Sequence, residues 1–362
     1  MPSTAPGTLL RTVTVPLAAE VFTPCELDDA GRWIGCQQLV ASGGSALVAD
    51  LSASPVVPRE FADAMVASGA PLLLTETDLR PFDQDQRIAI GQGKDDAWYD
   101  TAGSTYARVA ERRGGPESAI ELYDGKAGVR RWRVGRDAFR GYPAGFAIAP
   151  DTSRVVVMVR PFEEGRPHSL ISLSGADGSE QWRHEIADTG MSTRTPIWFG
   201  PDGKEVVLLF RRAGDYTRNE LDGAQLVAFA SGDGSEQRRV SLPGAGQAYR
   251  GQFGEEMRAG YDGKVVWFYA FKPVREPSEF NVFGGVGLEP GRELPASCSY
   301  EVYDARQPDP RPLRTAADVK GEIGNALREC RVLAMRPLAG KQVAAVIVAV
   351  DRLIVDIFDG PP

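Results

Sequence analysis

The chain has few residues suited to making or breaking bonds. Only two histidines occur, His168 and His184, too few for a histidine-based zinc or iron centre. A Ser/His/acid triad would have to recruit one of them, and neither lies near a G-x-S-x-G elbow that would present a nucleophile. The four cysteines, Cys25, Cys36, Cys298 and Cys330, lack C-x-x-C spacing. Cys25, Cys36 and Cys330 fall in strand-like runs, so free buried thiols are expected rather than disulfides or nucleophiles. Gly284-Gly285-Val286-Gly287 is glycine-rich, but no strand–turn–helix context surrounds it as a phosphate cradle requires. Carboxylates are plentiful, yet Asp151, Asp202, Asp262, Asp177 and Asp233 recur at turn positions, where capping of their own backbone accounts for them. No catalytic residue, metal ligand or bound cofactor is expected. Calcium held by oxygen ligands in a central channel is left open.

Residues suited to recognition are better represented. Trp98, Tyr99, Tyr106 and Arg108 lie in a stretch from Gly91 to Pro116 that interrupts an otherwise regular pattern. Tyr216 and Arg218 lie in a shorter interruption from Arg211, and Phe280 and Phe283 in one from Pro273 to Ala296. Aromatic residues interspersed with arginine are the types that anchor protein interfaces. Long loops on a rigid scaffold are where binding is usually found. The competing reading is that these aromatics fold back over their own sheet edges.

The elements that must position these loops form a repeat. One landmark is an apolar strand, a polar turn and a second β-branched strand, as in Phe146–Pro150-Asp151–Val159 and Ile197–Pro201-Asp202-Gly203–Phe210. Pro presets φ, Asp caps its own backbone and Gly supplies positive φ. Similar hairpins read around Asp28, Asp85, Asp262 and Gly340, which makes six. The second landmark is a strand, an Asp-Gly turn and a charged outer strand. Its clearest copies are Asp177-Gly178-Ser179-Glu180-Gln181-Trp182-Arg183 and Asp233-Gly234-Ser235-Glu236-Gln237-Arg238-Arg239. Trp132 and Trp182 follow such turns and are expected to pack between neighbouring units.

Four-stranded antiparallel units repeated at this length indicate an all-β fold, a single β-propeller. The count is six blades, at approximately 18–68, 69–142, 143–190, 191–246, 247–316, and 317–362 together with 1–17. Seven follow if one long unit conceals a degenerate blade. The last unit stops at Phe358-Asp359-Gly360 without an outer strand, and an orphan strand, Thr8 to Val15, precedes the first. Joining them closes the ring and removes an open edge. The long interruptions are placed between second and third strands, so they gather on one face.

The Asp177-Gly178-x-x-x-Trp182 element resembles the repeats of pyrroloquinoline-quinone-type propellers and, more loosely, of WD-repeat and outer-membrane-assembly lipoprotein propellers. The quinone-binding dehydrogenases carry a fuller A-x-D-x-x-T-G-x-x-x-W signature than any stretch here. What the resemblance implies is a propeller used as a binding platform. A net charge of −8 and a pI near 5.1 argue against a nucleic-acid partner. No apolar run approaches the roughly 20 residues that span a bilayer, and the amino terminus does not read as a signal peptide. The expectation is a soluble, cytoplasmic scaffold that binds a protein partner through its loop-elaborated face. Two alternatives stand beside it: a metal-dependent lactonase or sugar-processing hydrolase with carboxylates at the channel mouth, and a propeller that binds small ligands or peptides.

Overall fold

The computed structural model describes residues 9–18, 21–40, 43–67, 69–83, 87–90, 98–110, 118–163, 166–186, 197–211, 224–242, 258–261, 265–273, 296–304, 312–314, 332–338, 342–348 and 352–359. Strand β1 (Leu9–Pro16) comes first. It is followed by a sheet of β2 (Val21–Leu27), β3 (Trp33–Val40), β4 (Gly43–Asp50) and β5 (Arg59–Ala62). The second sheet is β6 (Met65–Val66), β7 (Leu72–Leu74), β8 (Asp78–Pro81) and β9 (Ile88–Ala89). The third is β10 (Trp98–Ala102), β11 (Thr105–Ala110), β12 (Ala119–Asp124) and β13 (Val129–Gly135), and a short helix α1 (Arg136–Phe139) leads out of it. The fourth is β14 (Gly141–Ile148), β15 (Arg154–Pro161), β16 (His168–Ser174) and β17 (Glu180–Ile186). The fifth is β18 (Ile197–Phe199), β19 (Glu205–Arg211), β20 (Ala224–Ala230) and β21 (Glu236–Leu242). The sixth is β22 (Arg258–Tyr261), β23 (Val265–Pro273), β24 (Ala296–Asp304) and β25 (Pro312–Arg314). The seventh is β26 (Val332–Leu338), β27 (Gln342–Val348) and β28 (Arg352–Asp359), with β1 as its fourth strand.

Each sheet is an antiparallel meander, and the core lies between consecutive sheets rather than at one centre. Strand β15 shows why. Val155, Val157 and Val159 face the third sheet, where they meet Ile120, Leu122 and Trp132. Val156 and Met158 face the fifth, among Val206, Leu208 and Phe229. A strand buried on both faces needs an unbroken apolar run instead of alternation, and Val155 to Val159 is one. Outer strands read differently: β17, EQWRHEI, is mostly exposed.

The six-unit count falls one sheet short. Residues 69–142, read as one unit with an insertion, hold most of the second sheet and all of the third. The stretch from Gly91 to Pro116, read as a loop between second and third strands, contains β10 and β11, the first two strands of a sheet. The second sheet escapes notice because β6 to β9 are only two to four residues long. Segments that short carry no readable alternation.

The orphan strand pairs as its sequence suggests, with β1 against β28 from Leu9 opposite Phe358 to Pro16 opposite Arg352. The expectation of free thiols is corrected at one pair. Cys25 and Cys36 stand opposite each other in β2 and β3, with Cα atoms 4.1 Å apart, and form a disulfide. Hairpin register brings them together, which C-x-x-C spacing does not report. The side chains of Cys298 and Cys330 lie outside the described residues. A closed loop of this length stabilises by about 3 kcal/mol through lost chain entropy. Cys36→Ser, or reductant added to the natural protein, should lower the unfolding free energy by roughly 2–3 kcal/mol. Urea melts with and without dithiothreitol check this; superimposable curves would contradict it.

Candidate functional site

In a four-stranded meander, the first and third turns share one end of the sheet. The middle connection and the link to the next sheet share the other. The tight-turn end is dedicated to structure. The N–H of Gly175 donates to the Ser153 carbonyl at 2.8 Å, and equivalent bonds run from Leu51 to Arg32, Gly125 to Ser104 and Ser231 to Lys204. They tie the third turn to the first in four sheets. Aspartates cap these turns as expected: Asp177 accepts from Ser179 N–H at 3.0 Å and from its Oγ at 2.7 Å, and Asp233 treats Ser235 in the same way. Hydrogen bonds to Ser179 hold the Asp177 carboxyl below the usual carboxylate range. The tryptophans bind one sheet to the next. Trp132 Nε1 donates to the Gly175 carbonyl at 3.2 Å and Trp182 Nε1 to the Ser231 carbonyl at 2.9 Å. The Asp-Gly repeat is therefore a joint between sheets. A hollow of about 760 Å³ at this end is bordered by such turns, including Ser104, Asp124 and Thr152.

The other end carries the long connections. Strands β23 and β24 stay paired out to Pro273 opposite Ala296, and residues 274–295 connect them. Strands β19 and β20 pair out to Arg211 opposite Ala224, with residues 212–223 between. Both are middle connections, so both leave from this end. Tyr216, Arg218, Phe280 and Phe283 belong to them and lie outside the described residues.

The remaining predicted contact residues are in the third sheet. Trp98 opens β10, paired with Val109. Tyr99, Tyr106 and Arg108 are buried instead of presented to solvent. Tyr99, Arg108, Glu121 and Arg133 stand opposite one another across β10 to β13, on the face toward the second sheet. Arg108 Nε contacts Glu121 Oε2 at 2.6 Å, with the two side chains only 5% and 3% exposed. Arg108 also donates to the Ile90 carbonyl at 2.9 Å, and the Tyr123 hydroxyl donates to Glu121 at 2.7 Å. Arg130 and Arg133 approach the other carboxylate oxygen at 2.8 and 3.4 Å. Burial opposes charge on both partners, but the ion pair outweighs it, holding Glu121 below and Arg108 above their ordinary ranges. Burial also pushes the Tyr106 phenol up to about 12. Tyr99, Tyr106 and Tyr123 thus pack against the second sheet, neither on a free loop nor over the edge of their own sheet. This follows from β10 and β11 being strands.

A cluster of arginine and aromatic side chains lies at the long-connection end of the fourth sheet. Tyr142 at the start of β14 stands opposite Arg160 near the end of β15. The Arg160 guanidinium lies 5.5 Å from the Tyr142 ring centre, and Tyr142 meets Phe162 edge-on at 4.9 Å. The Arg136 guanidinium of α1 lies over the Phe162 ring, 5.6 Å from its centre. One signal could have found part of it: Tyr142 and Arg160 are equally distant in sequence from Asp151, at the centre of a recognised hairpin. His168 sits at the start of β16, and burial together with Arg160 pushes its imidazole below the ordinary value. His184 packs against Phe229. Among the described residues, no group of three His, Cys, Asp or Glu side chains is placed to hold a metal ion. No helix among them is long and apolar enough to cross a membrane.

No protein-family model and no curated protein matches the chain. Solved structures do. The β-propeller domain of Cps50 (Swd1) from Myceliophteria thermophila aligns with a TM-score of 0.55 at 9% identity, covering 98% of this chain and 100% of that one. Hydrazine synthase from Kuenenia stuttgartiensis aligns with a TM-score of 0.53 at 13% identity, covering 93% and 97%. At such identities the likeness is one of fold: the chain has the β-propeller architecture.

Proposed function

We propose that the chain is a non-catalytic interaction module that binds a protein partner through the long-connection end of a seven-bladed ring. The observation that carries this reading is the asymmetry of the sheets. One end is tied down by short capped turns, while at the other residues 212–223 and 274–295 connect paired strands. An exposed cluster of arginine and aromatic side chains lies on that same end, and these residue types anchor interfaces. The ring reading draws on neighbouring first strands, since β26 lies beside both β2 and β22, and on β1 completing the seventh sheet. Propellers also serve as enzymes, and hydrazine synthase is named for one, so the fold alone does not decide. The Cys25–Cys36 disulfide favours an oxidising compartment over the cytoplasm expected from the sequence.

The test is a pull-down comparing the natural protein with a variant in which 212–223 and 274–295 are each replaced by a short Gly-Ser connection. Loss of specific partners at unchanged melting temperature is the expected outcome. An unchanged partner profile would refute the reading. Residues 91–116 are left intact, because shortening them would remove β10 and β11.

A further inference from the structure

We infer that the cluster formed by Arg136, Phe162, Tyr142 and Arg160 is a docking site for an acidic peptide segment of a protein partner. This rests on the proposal that the long-connection end binds partners, and adds the chemistry of what it takes.

Phe162 is 45% exposed, although large apolar side chains elsewhere in the described residues are mostly buried. It is held in place, with Tyr142 against its edge and the Arg136 guanidinium over its ring. Tyr142 carries Arg160 in the same way. A guanidinium lying over a ring still presents its N–H edge to a carboxylate, which it can grip through two parallel hydrogen bonds. The rings also reduce its hydration, so the pairing is stronger than between fully solvated charges. Arg160, exposed over the Tyr142 ring, offers such a receptor beside the apolar seat of Phe162.

The charges around the cluster favour an acidic ligand. Arg140 is exposed immediately before Gly141 and Tyr142. Among the described residues, neither Arg140 nor Arg160 has a carboxylate within salt-bridge distance. Asp137 lies 3.8 Å from Arg136, and Glu163 is engaged by Arg166 at 2.8 Å. Arg183, itself paired with Glu180 at 2.7 Å, reaches from β17 to the Phe139 carbonyl at 3.2 Å and secures the end of α1 beside the cluster. Arg140 and Arg160 are thus the cations of this patch without a neighbouring carboxylate among the described residues, on a chain of net charge −8. Arginine beside aromatic rings also suits single-stranded nucleic acid. Here, however, Asp137 and Glu163 lie within the patch and the overall field repels polyphosphate. A short peptide can set one or two carboxylates against Arg160 and Arg140 without the continuous charge of a phosphate backbone.

The probe is a fluorescein-labelled glycine-serine octapeptide with one central phenylalanine flanked by two glutamates, followed by anisotropy at low and at moderate salt. Saturable binding that weakens with salt is expected. Arg136→Glu/Arg160→Glu should weaken it by about tenfold or more. Lys126→Glu/Lys204→Glu, which changes net charge equally at the tight-turn end, should have little effect. Phe162→Ala removes no charge and should still weaken binding several-fold. Thermal melts confirm that each variant is folded. Three results would overturn the inference: no saturable binding by the natural protein, equal loss in both charge-reversed variants, or tighter binding of an eight-nucleotide oligothymidylate at this patch. If shortening 212–223 and 274–295 abolishes partner capture but the peptide never binds, this inference fails and the broader one stands.

Discussion

Glu121→Ala should lower the unfolding free energy by about 3–5 kcal/mol, the cost of leaving a buried charge without its partner. The charge stranded is Arg108, whose side chain is 5% exposed and whose other bond is to the Ile90 carbonyl. Arg130 and Arg133 lose the same acceptor, but their side chains are 48% and 43% exposed and can turn to water. The loss therefore centres on Arg108. Glu121→Gln, which keeps two polar atoms but not the charge, should fall between. Replacing both Arg108 and Glu121 by leucine should recover much of the loss, because removing a buried pair together leaves no charge behind. The sign with pH is set by the Glu121 carboxyl lying below its ordinary value in the folded protein. Its contribution is complete above about pH 4.3, the unfolded value, and is lost as pH falls below it. The gap between Glu121→Ala and the natural protein should thus narrow in acid. Urea titrations across pH check both statements, and a loss under about 1 kcal/mol at neutral pH would contradict them.

Trp132→Ala should cost a similar amount, about 3–5 kcal/mol for a buried aromatic. Trp132 is 7% exposed, and its ring closes the gap between the third and fourth sheets. It fits because the turn it meets carries Gly178 at φ +75°; a Cβ there would stand 2.9 Å from Trp132 Cδ2. Gly178→Ala should therefore destabilise twice over. A left-handed backbone costs roughly 1–2 kcal/mol with a side chain attached, and the tryptophan must shift as well. Combining Trp132→Ala with Gly178→Ala should be less than additive, since removing the ring opens the space that the methyl needs. Gly234, at φ +74°, repeats the arrangement with Trp182, where a Cβ would stand 2.6 Å from Trp182 Cε3. In the next sheet Arg238 takes the tryptophan's place and pairs with Glu205 at 2.9 Å. Additive effects for the Trp132 and Gly178 pair would show that ring and glycine do not share one contact.

The repeat was legible because it is written in local terms. Pro150-Asp151 and Asp177-Gly178 each specify a turn through their own backbone preferences, and the runs flanking them are strands whatever they pack against. The orphan strand at Leu9–Pro16 and the open unit ending at Asp359 could be matched for the same reason. The site was less legible. Tyr99, Tyr106 and Arg108 have the residue types of an interface, and only their pairing in β10 and β11 turns them toward the second sheet. Phe162, a single phenylalanine after Arg160-Pro161, has no pattern around it that would mark its exposure.

By itself the sequence determined an all-β chain of repeated meanders with capped turns at one end and long connections at the other. Those features depend on residues close together along the chain. The tertiary structure decided the number of sheets, the Cys25–Cys36 bond, the burial of the Arg108–Glu121 pair and the exposure of the Arg136–Phe162–Tyr142–Arg160 cluster. Each depends on which strands stand opposite and which faces meet. Residue type limits those choices, but register and packing between sheets make them.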